Sequence, residues 1–339
     1  MDMKQIKVLM AMMAILGGAS FASSAMATPD VTDVVAKQRY PWNGLVDITC
    51  KVTGIEGETN GLKLAVAAVM PDAGNARYVS HFWVVQGGTN STDCEVHVNG
   101  DYRLLWDARA DLGIVRYTNM VVRVTFDTHE KVPLWEDGPY WATMNIGAEK
   151  PEDYGYYFWW GDTVGYKREN NAWVATDGSS SNFSFSEGNV PTYNNKSIYT
   201  LKSEGWIVTE NGTNVLASEH DAAQVQWGGG WRMPTYQELY DLCYKCDWTW
   251  TTQNGVNGYV VRGRGDYAAN SIFLPCAGYG DGTSLYYAGW HGLYWSSVPY
   301  SDNYYHSRYL YFYSGNHWTH YPDHRCYGYS VRPVQGFTK

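Results

Sequence analysis

Short runs of β-prone residues, each closed within a few positions by Gly, Asn or Asp, recur from Asp30 to the end of this chain, and they leave little room for long helices. "GLVDITCKVTG", "KLAVAAVM", "YVSHFWVV", "DCEVHVNG", "YRLLWDA" and "MVVRVTFD" follow one another before Asp127. Several alternate at period two, as Val46, Ile48 and Cys50 do against Leu45, Asp47 and Thr49, which sets one face of a strand toward a core and the other toward water. About 100 residues of such strands predict a β-sandwich. "THEKVPL", residues 128–134, is polar and carries Pro133, so a domain boundary is expected there.

Ahead of the first strand, Lys4 and Lys7 precede an apolar run from Val8 to about Leu16, and small residues lead to Ala25-Met26-Ala27. This reads as a secretory signal over residues 1–27 and predicts export, to the cell surface or beyond. No later apolar run reaches the roughly 20 residues that a membrane-spanning helix needs, so no transmembrane segment is expected. The formal net charge of -9, with 17% charged residues and no basic cluster, excludes nucleic acid as a partner, because phosphate binding needs grouped Lys and Arg.

Past residue 134 the texture changes to dense aromatics and Gly, with a polar excursion over residues 170–195 that reads as a long surface loop. One helix is well marked. In "MPTYQELYDLCYKC", Thr235 and Glu238 form a capping box, and Leu239, Leu242, Cys243 and Cys246 share a face at helical spacing. A shorter helix is expected over residues 218–227 with Ser218 as its cap.

The segments "GPYWATMNIGAEKPEDYGYYFWWGD", "WGGGWRMPTYQELYDLC", "CDWTWTTQNGVNGY", "SIFLPCAGY", "GLYWSS" and "GYSVRPV" come in an order and spelling that closely resemble the Fibrobacter succinogenes major paralogous domain. The resemblance spans most of residues 135–334. It implies a C-type-lectin-like α+β fold with few helices, a small twisted sheet and long loops. In that family Trp231, Arg232, Pro234, Thr235, Trp295, Ser296, Val331, Arg332 and Pro333 stand in framework positions, whereas Cys276 replaces a small residue. The expected fold is therefore an N-terminal all-β sandwich (residues 28–130, immunoglobulin-like) plus a C-terminal α+β C-type-lectin-like domain (residues 131–339).

Six cysteines in an exported chain make disulfides an expectation, and buried thiols are the alternative. Cys50 and Cys94 form one candidate pair, while Cys243, Cys246, Cys276 and Cys326 allow three pairings. The CxxC of Cys243 and Cys246 lacks the second knuckle that a zinc site wants. Arg264-Gly265-Asp266 spells an adhesion tripeptide in a loop where such residues occur anyway.

Residues 301–325, "SDNYYHSRYLYFYSGNHWTHYPDHR", hold six tyrosines and four of the nine histidines. His317 and His320 are three apart, which on a strand puts them on opposite faces and argues against a shared metal. Tyr, Trp, Ser, Asn, His and Gly also dominate antibody contact loops, where rings supply broad contact at low entropy cost. Tyr304, Tyr305, His306, Tyr309, Tyr311, Tyr313, Asn316, His317, Trp318, His320 and Tyr321 are accordingly the candidate ligand-binding residues, for a protein or glycan ligand outside the cell. Leu310 and Phe312 alternate with them and belong to the core. Some C-type-lectin-like proteins, including members similar to this domain, are diversified by retroelements that rewrite adenine-bearing codons near the C-terminus. Rewriting the adenines of AAC codons yields Asn, Tyr, Ser, Asp, His and Gly, which is the palette of this stretch. The Glu-Pro-Asn, Gln-Pro-Asp and Trp-Asn-Asp strings of calcium-dependent lectins are missing, as are HExxH, GxSxG, a phosphate-binding glycine loop and a pair of carboxylates in an apolar setting. Binding without a cofactor is expected, the alternatives being a structural envelope protein and, behind it, an enzyme.

Overall fold

A computed structural model describes residues 29–40, 43–55, 62–69, 76–78, 82–86, 89–91, 94–112, 120–228, 230–301 and 304–336, and the secretory signal expected over residues 1–27 lies outside them. The protein is β-rich, with 48% strand and 13% helix.

Up to Asp127 the described chain forms two antiparallel sheets. One runs in the order Asp30–Gln38, Leu45–Thr53, Gly100–Asp107, Phe82–Gln86 and Thr89–Ser91; in the other, Leu62–Val69 pairs with Ala76–Tyr78, Glu95–Val96 and Val121–Asp127. The period-two pattern of Leu45–Thr53 buries Val46, Ile48, Cys50 and Val52. These meet Leu64, Val66, Phe82, Val84, Leu104 and Trp106 in one core shared by both sheets. On the outer side Asp47 binds Arg39 at 2.7 Å and Arg103 at 2.6 Å, and these bonds hold its carboxyl down at about 2.

The chain crosses from this core to the next between Asp127 and Lys131. Lys131–Pro133 pairs with Tyr140–Ala142, which pairs with Val334–Gln335 and through it with Trp231–Arg232. Polar contacts tie the two parts together at this seam. Trp231 Nε1 donates to Asp127 at 2.8 Å, the His129 ring stacks on Trp227 at 3.7 Å, and Lys63 and Lys131 both donate to Gln335 Oε1.

Beyond the seam, two sheets enclose the helix Tyr236–Lys245. Asp247–Gln253, Val256–Arg262 and Ser271–Pro275 form one; the second contains His291–Pro299, His306–Tyr313, Asn316–Trp318 and Pro322–His324. The capping box closes as its residue types dictate: Thr235 Oγ1 accepts the Glu238 amide, and the Glu238 carboxylate accepts the Thr235 amide. Leu239, Leu242 and Cys243 face Tyr259, Leu274, Tyr294, Leu310 and Phe312 in the core beneath.

Two local expectations are corrected. The helix expected from Ser218 begins later, at Ala222–Trp227, because Asp221 is the better acceptor: its carboxylate takes the amides of Ala223 and Gln224, while Ser218–His220 forms a 3-10 turn. Residues 170–195 are not one free loop. Asn170 and Asn171, both at positive φ, turn the hairpin between Tyr166–Glu169 and Ala172–Ala175, and Trp173, Phe185 and Tyr193 are buried in a core of their own.

All six cysteines are buried and none is in a disulfide, so none of the pairs considered above is joined. Arg264 is tied to Asp247 and to the carbonyls of Tyr244 and Cys246, with the 3-10 turn Gly265–Tyr267 following it; the tripeptide is part of a braced corner.

Candidate functional site

The strands His291–Pro299 and His306–Tyr313 set the site, because the alternation of each assigns its side chains to two faces. Register pairs His291 with Tyr313, Leu293 with Tyr311 and Trp295 with Tyr309 on one face; Tyr294 with Leu310 and Gly292 with Phe312 lie on the other. The second face is core throughout. Its closeness rests on Gly292, where a Cβ would meet the Phe312 ring at 2.0 Å.

The first face changes character along its length. At one end Trp295 and Tyr309 are buried, with Tyr329 stacked on Trp295 at 4.1 Å. At the other end the covering layer stops and the rings meet solvent. Tyr311 packs against Trp318 at 4.7 Å and aims its hydroxyl at His291 Nδ1, 3.0 Å away. Tyr313 lies 5.8 Å from Trp318 and is 37% exposed. Trp318 leads on to His320, whose ring lies 4.3 Å from Tyr321.

On the far side the surface continues into residues outside the 301–325 stretch. His291 stacks on Tyr287 at 4.4 Å and 11°, and Tyr287 neighbours Tyr286 and Tyr279. Tyr287 sits at φ +54, a left-handed conformation costing roughly 1–2 kcal/mol for a residue with a Cβ. The path is held by Gly278, where a Cβ would strike the Tyr286 carbonyl at 2.1 Å. Trp290, in the same turn, is 72% exposed. The result is an unbroken line of rings from Tyr286 and Tyr287 through His291, Tyr311, Tyr313 and Trp318 to His320 and Tyr321. Burial holds the His291 pKa below its ordinary value and raises that of Tyr311, so both are neutral near pH 7.

The expected residues divide on this frame. Tyr311, Tyr313, Asn316, Trp318, His320 and Tyr321 share the open face or its rim. Tyr309 is withdrawn from it, since the face passes under Tyr329 there. His317 points the other way, stacked on Trp248 at 4.3 Å with Nε2 3.3 Å from the Cys243 carbonyl; burial is the main cause of its lowered pKa. Tyr304, Tyr305 and His306 lie at the opposite end of their strand. Tyr305 donates to Asn195, and His306 meets His324 edge-on at 4.4 Å. Residues 286–291, which sequence reasoning left out, carried their own signal: "YYAGWH" is another dense aromatic run with Gly.

The base of the stretch is anchored by Arg325. It is fully buried, has no carboxylate partner among the described residues, lies over the Trp160 ring, and donates to the carbonyls of Thr192, Lys196, Tyr304 and His306 and to Ser307 Oγ. Arg332 plays the same part elsewhere, donating to Asn145, Ala142 and Phe273.

A cleft of about 400 Å³ lies away from the rings, lined by Trp135, Asp221, Arg232, Met233, Glu238 and Asp241 among others. Its inner polar groups are already engaged. Glu238 grips Arg232 through two oxygens at 2.5 and 2.7 Å, and Asp221 accepts the Met233 amide as well as its helix amides. Among the described residues no three His, Cys, Asp or Glu side chains are grouped to hold a metal, and no helix is long and apolar enough to cross a membrane.

Protein-family models, curated proteins and solved structures were compared with this chain, and none matches it.

Proposed function

We propose that the chain is an exported, surface-displayed recognition protein, in which an immunoglobulin-like β-sandwich carries a C-type-lectin-like domain that binds a ligand outside the cell. The observation that carries this reading is the line of neighbouring rings on the open end of the sheet, with Tyr286, Tyr287, Trp290, Tyr313 and Tyr321 all exposed. A globular chain gains by burying rings, so a contiguous exposed set on rigid strands marks a contact surface. Their mutual packing fixes the rotamers in advance and lowers the entropy cost of binding. Binding rather than catalysis is the reading, because the clustered groups are neutral rings and because the cleft's inner charges are bound to each other or to backbone amides. The near-C-terminal palette of Tyr, Asn, Ser, His and Gly fits diversification by a retroelement, whose reverse transcriptase and template repeat are to be sought beside the gene.

The test is binding of the full chain to protein and glycan arrays, with Tyr287, Tyr313, Trp318 and Tyr321 changed together to Ala. Loss of the captured ligand with an unchanged unfolding curve supports the surface. Retained binding in that variant moves the function elsewhere.

A further inference from the structure

The identity of the side chains around the rings narrows the ligand. Neither residues 282–301 nor residues 309–322 contain an Asp, Glu, Lys or Arg, in a chain that is 17% charged. Both segments of the open face are therefore devoid of formal charge. Arg308, the nearest cation on the central strand, is already engaged: it lies over Tyr236 at 4.4 Å and Tyr300 at 4.5 Å and donates to the His320 carbonyl at 3.3 Å. The apolar surface is equally selective: among the described residues 282–322, every exposed large hydrophobic side chain is aromatic, and Leu293 and Leu310 are buried.

Outside antibody loops, protein contact surfaces add Arg and Met to their rings, and charged partners demand opposite charge across the interface. This face offers neither. It offers flat, neutral rings rimmed by hydroxyl, amide and imidazole groups. A sugar ring presents C–H groups on its flat side and hydroxyls around its edge, so the rings cover the first while the rim exchanges hydrogen bonds with the second. Resting on the recognition surface proposed above, we infer that its ligand is a neutral glycan, with sugar rings stacked on Tyr287, Tyr313 and Trp318 and hydroxyls bonded to Asn316, His320 and the tyrosine hydroxyls. Neither segment supplies a carboxylate, and Asp281 and Asp323, which act on Tyr279 beside the face, belong to no group of three metal-ligating side chains among the described residues, so the binding is independent of calcium.

The experiment uses the full chain in affinity electrophoresis through soluble neutral polysaccharides (a β-glucan, a mannan and a xylan), with polygalacturonate as the acidic counterpart and a protein array in parallel. At least one neutral polysaccharide retards the protein, equally with EDTA and in high salt. Tyr287→Ala, Tyr313→Ala and Trp318→Ala each weaken retardation by about tenfold, while Trp318→Phe keeps most of it. Tyr287 and Tyr313 are exposed, so their variants report binding even if the Trp318 change disturbs the fold. Preference for polygalacturonate, or no retardation by any neutral polysaccharide, overturns the glycan assignment. If a protein is captured instead and lost in the same three variants, the glycan falls and the surface stands; if no captured ligand responds to them, both fall.

Discussion

Replacing Arg325 by Met tests how the ring-bearing stretch is held. Two effects oppose each other. Burial lowers the guanidinium pKa from 12.5 to about 10, which corresponds to ~3 kcal/mol of unfavourable charge burial. Met removes that cost. It also removes this donor from the carbonyls of Thr192, Lys196, Tyr304 and His306 and from Ser307 Oγ; the bonds to Thr192 and Ser307 are buried, the other three are only part-buried, and the His306 carbonyl keeps the Tyr300 amide. An unsatisfied buried acceptor costs roughly 1–3 kcal/mol, so the two buried ones, with a smaller loss at the three part-buried carbonyls, outweigh the relief. The expected net loss is about 2–3 kcal/mol, measured by urea unfolding with tryptophan fluorescence. Arg325→Lys restores less than half of it, because an ammonium has three donors and no planar fork to reach acceptors on two sides. Amide exchange should rise first in residues 192–196 and 304–307. A Met variant within about 1 kcal/mol of the parent would refute the reasoning, since the buried charge would then cost as much as its bonds contribute.

Two further outcomes are expected. Asp162 is buried, and burial pushes its pKa up to about 7 against the opposing pull of the amides of Val164 and Gly165. The folded protein then keeps this proton to higher pH than the unfolded chain does, so the stability it confers is full below about pH 4 and is lost as pH rises toward 7. Asp162→Asn removes that dependence, and its stability relative to the parent should rise on the order of 2–4 kcal/mol between acid and neutral pH, whereas parallel pH curves would contradict the assignment. The thiols give the other outcome: burial raises Cys50 to about 11 and Cys243, Cys246, Cys276 and Cys326 to about 12. Iodoacetamide near neutral pH should leave the native protein unlabelled and add six groups after unfolding without reductant; four groups or fewer would reveal a disulfide.

What the sequence disclosed follows the range of the forces involved. Local signals were readable: Thr235 and Glu238 sit three apart and satisfy each other's amides, and the alternation of Val46, Ile48, Cys50 and Val52 needs no knowledge of the partner sheet. Asp221 was also local, but Ser218 offered a competing cap, and the carboxylate's extra bond to the Met233 amide comes from beyond the helix, just after the strand Trp231–Arg232. Tyr309 was misread for a different reason. Period two places it with Tyr311 and Tyr313, yet its burial depends on Tyr329 crossing above it, which no spacing within the strand encodes. His317 lay likewise beyond reach, because its place on the inner face is set by the turn after Tyr313 and by Trp248. Tyr286 and Tyr287 join the site through pairing of the strand that follows them, a contact about 25 residues long in sequence separation.

The strand His306–Tyr313 alternates between side chains that hold the domain together and side chains that lie open at its far end. Codons for Tyr311 and Tyr313 can therefore drift through many polar and aromatic alternatives while Leu310 and Phe312 stay fixed, so a library randomised at every second position should yield folded members with new specificities at a rate that full randomisation of the same segment would not reach.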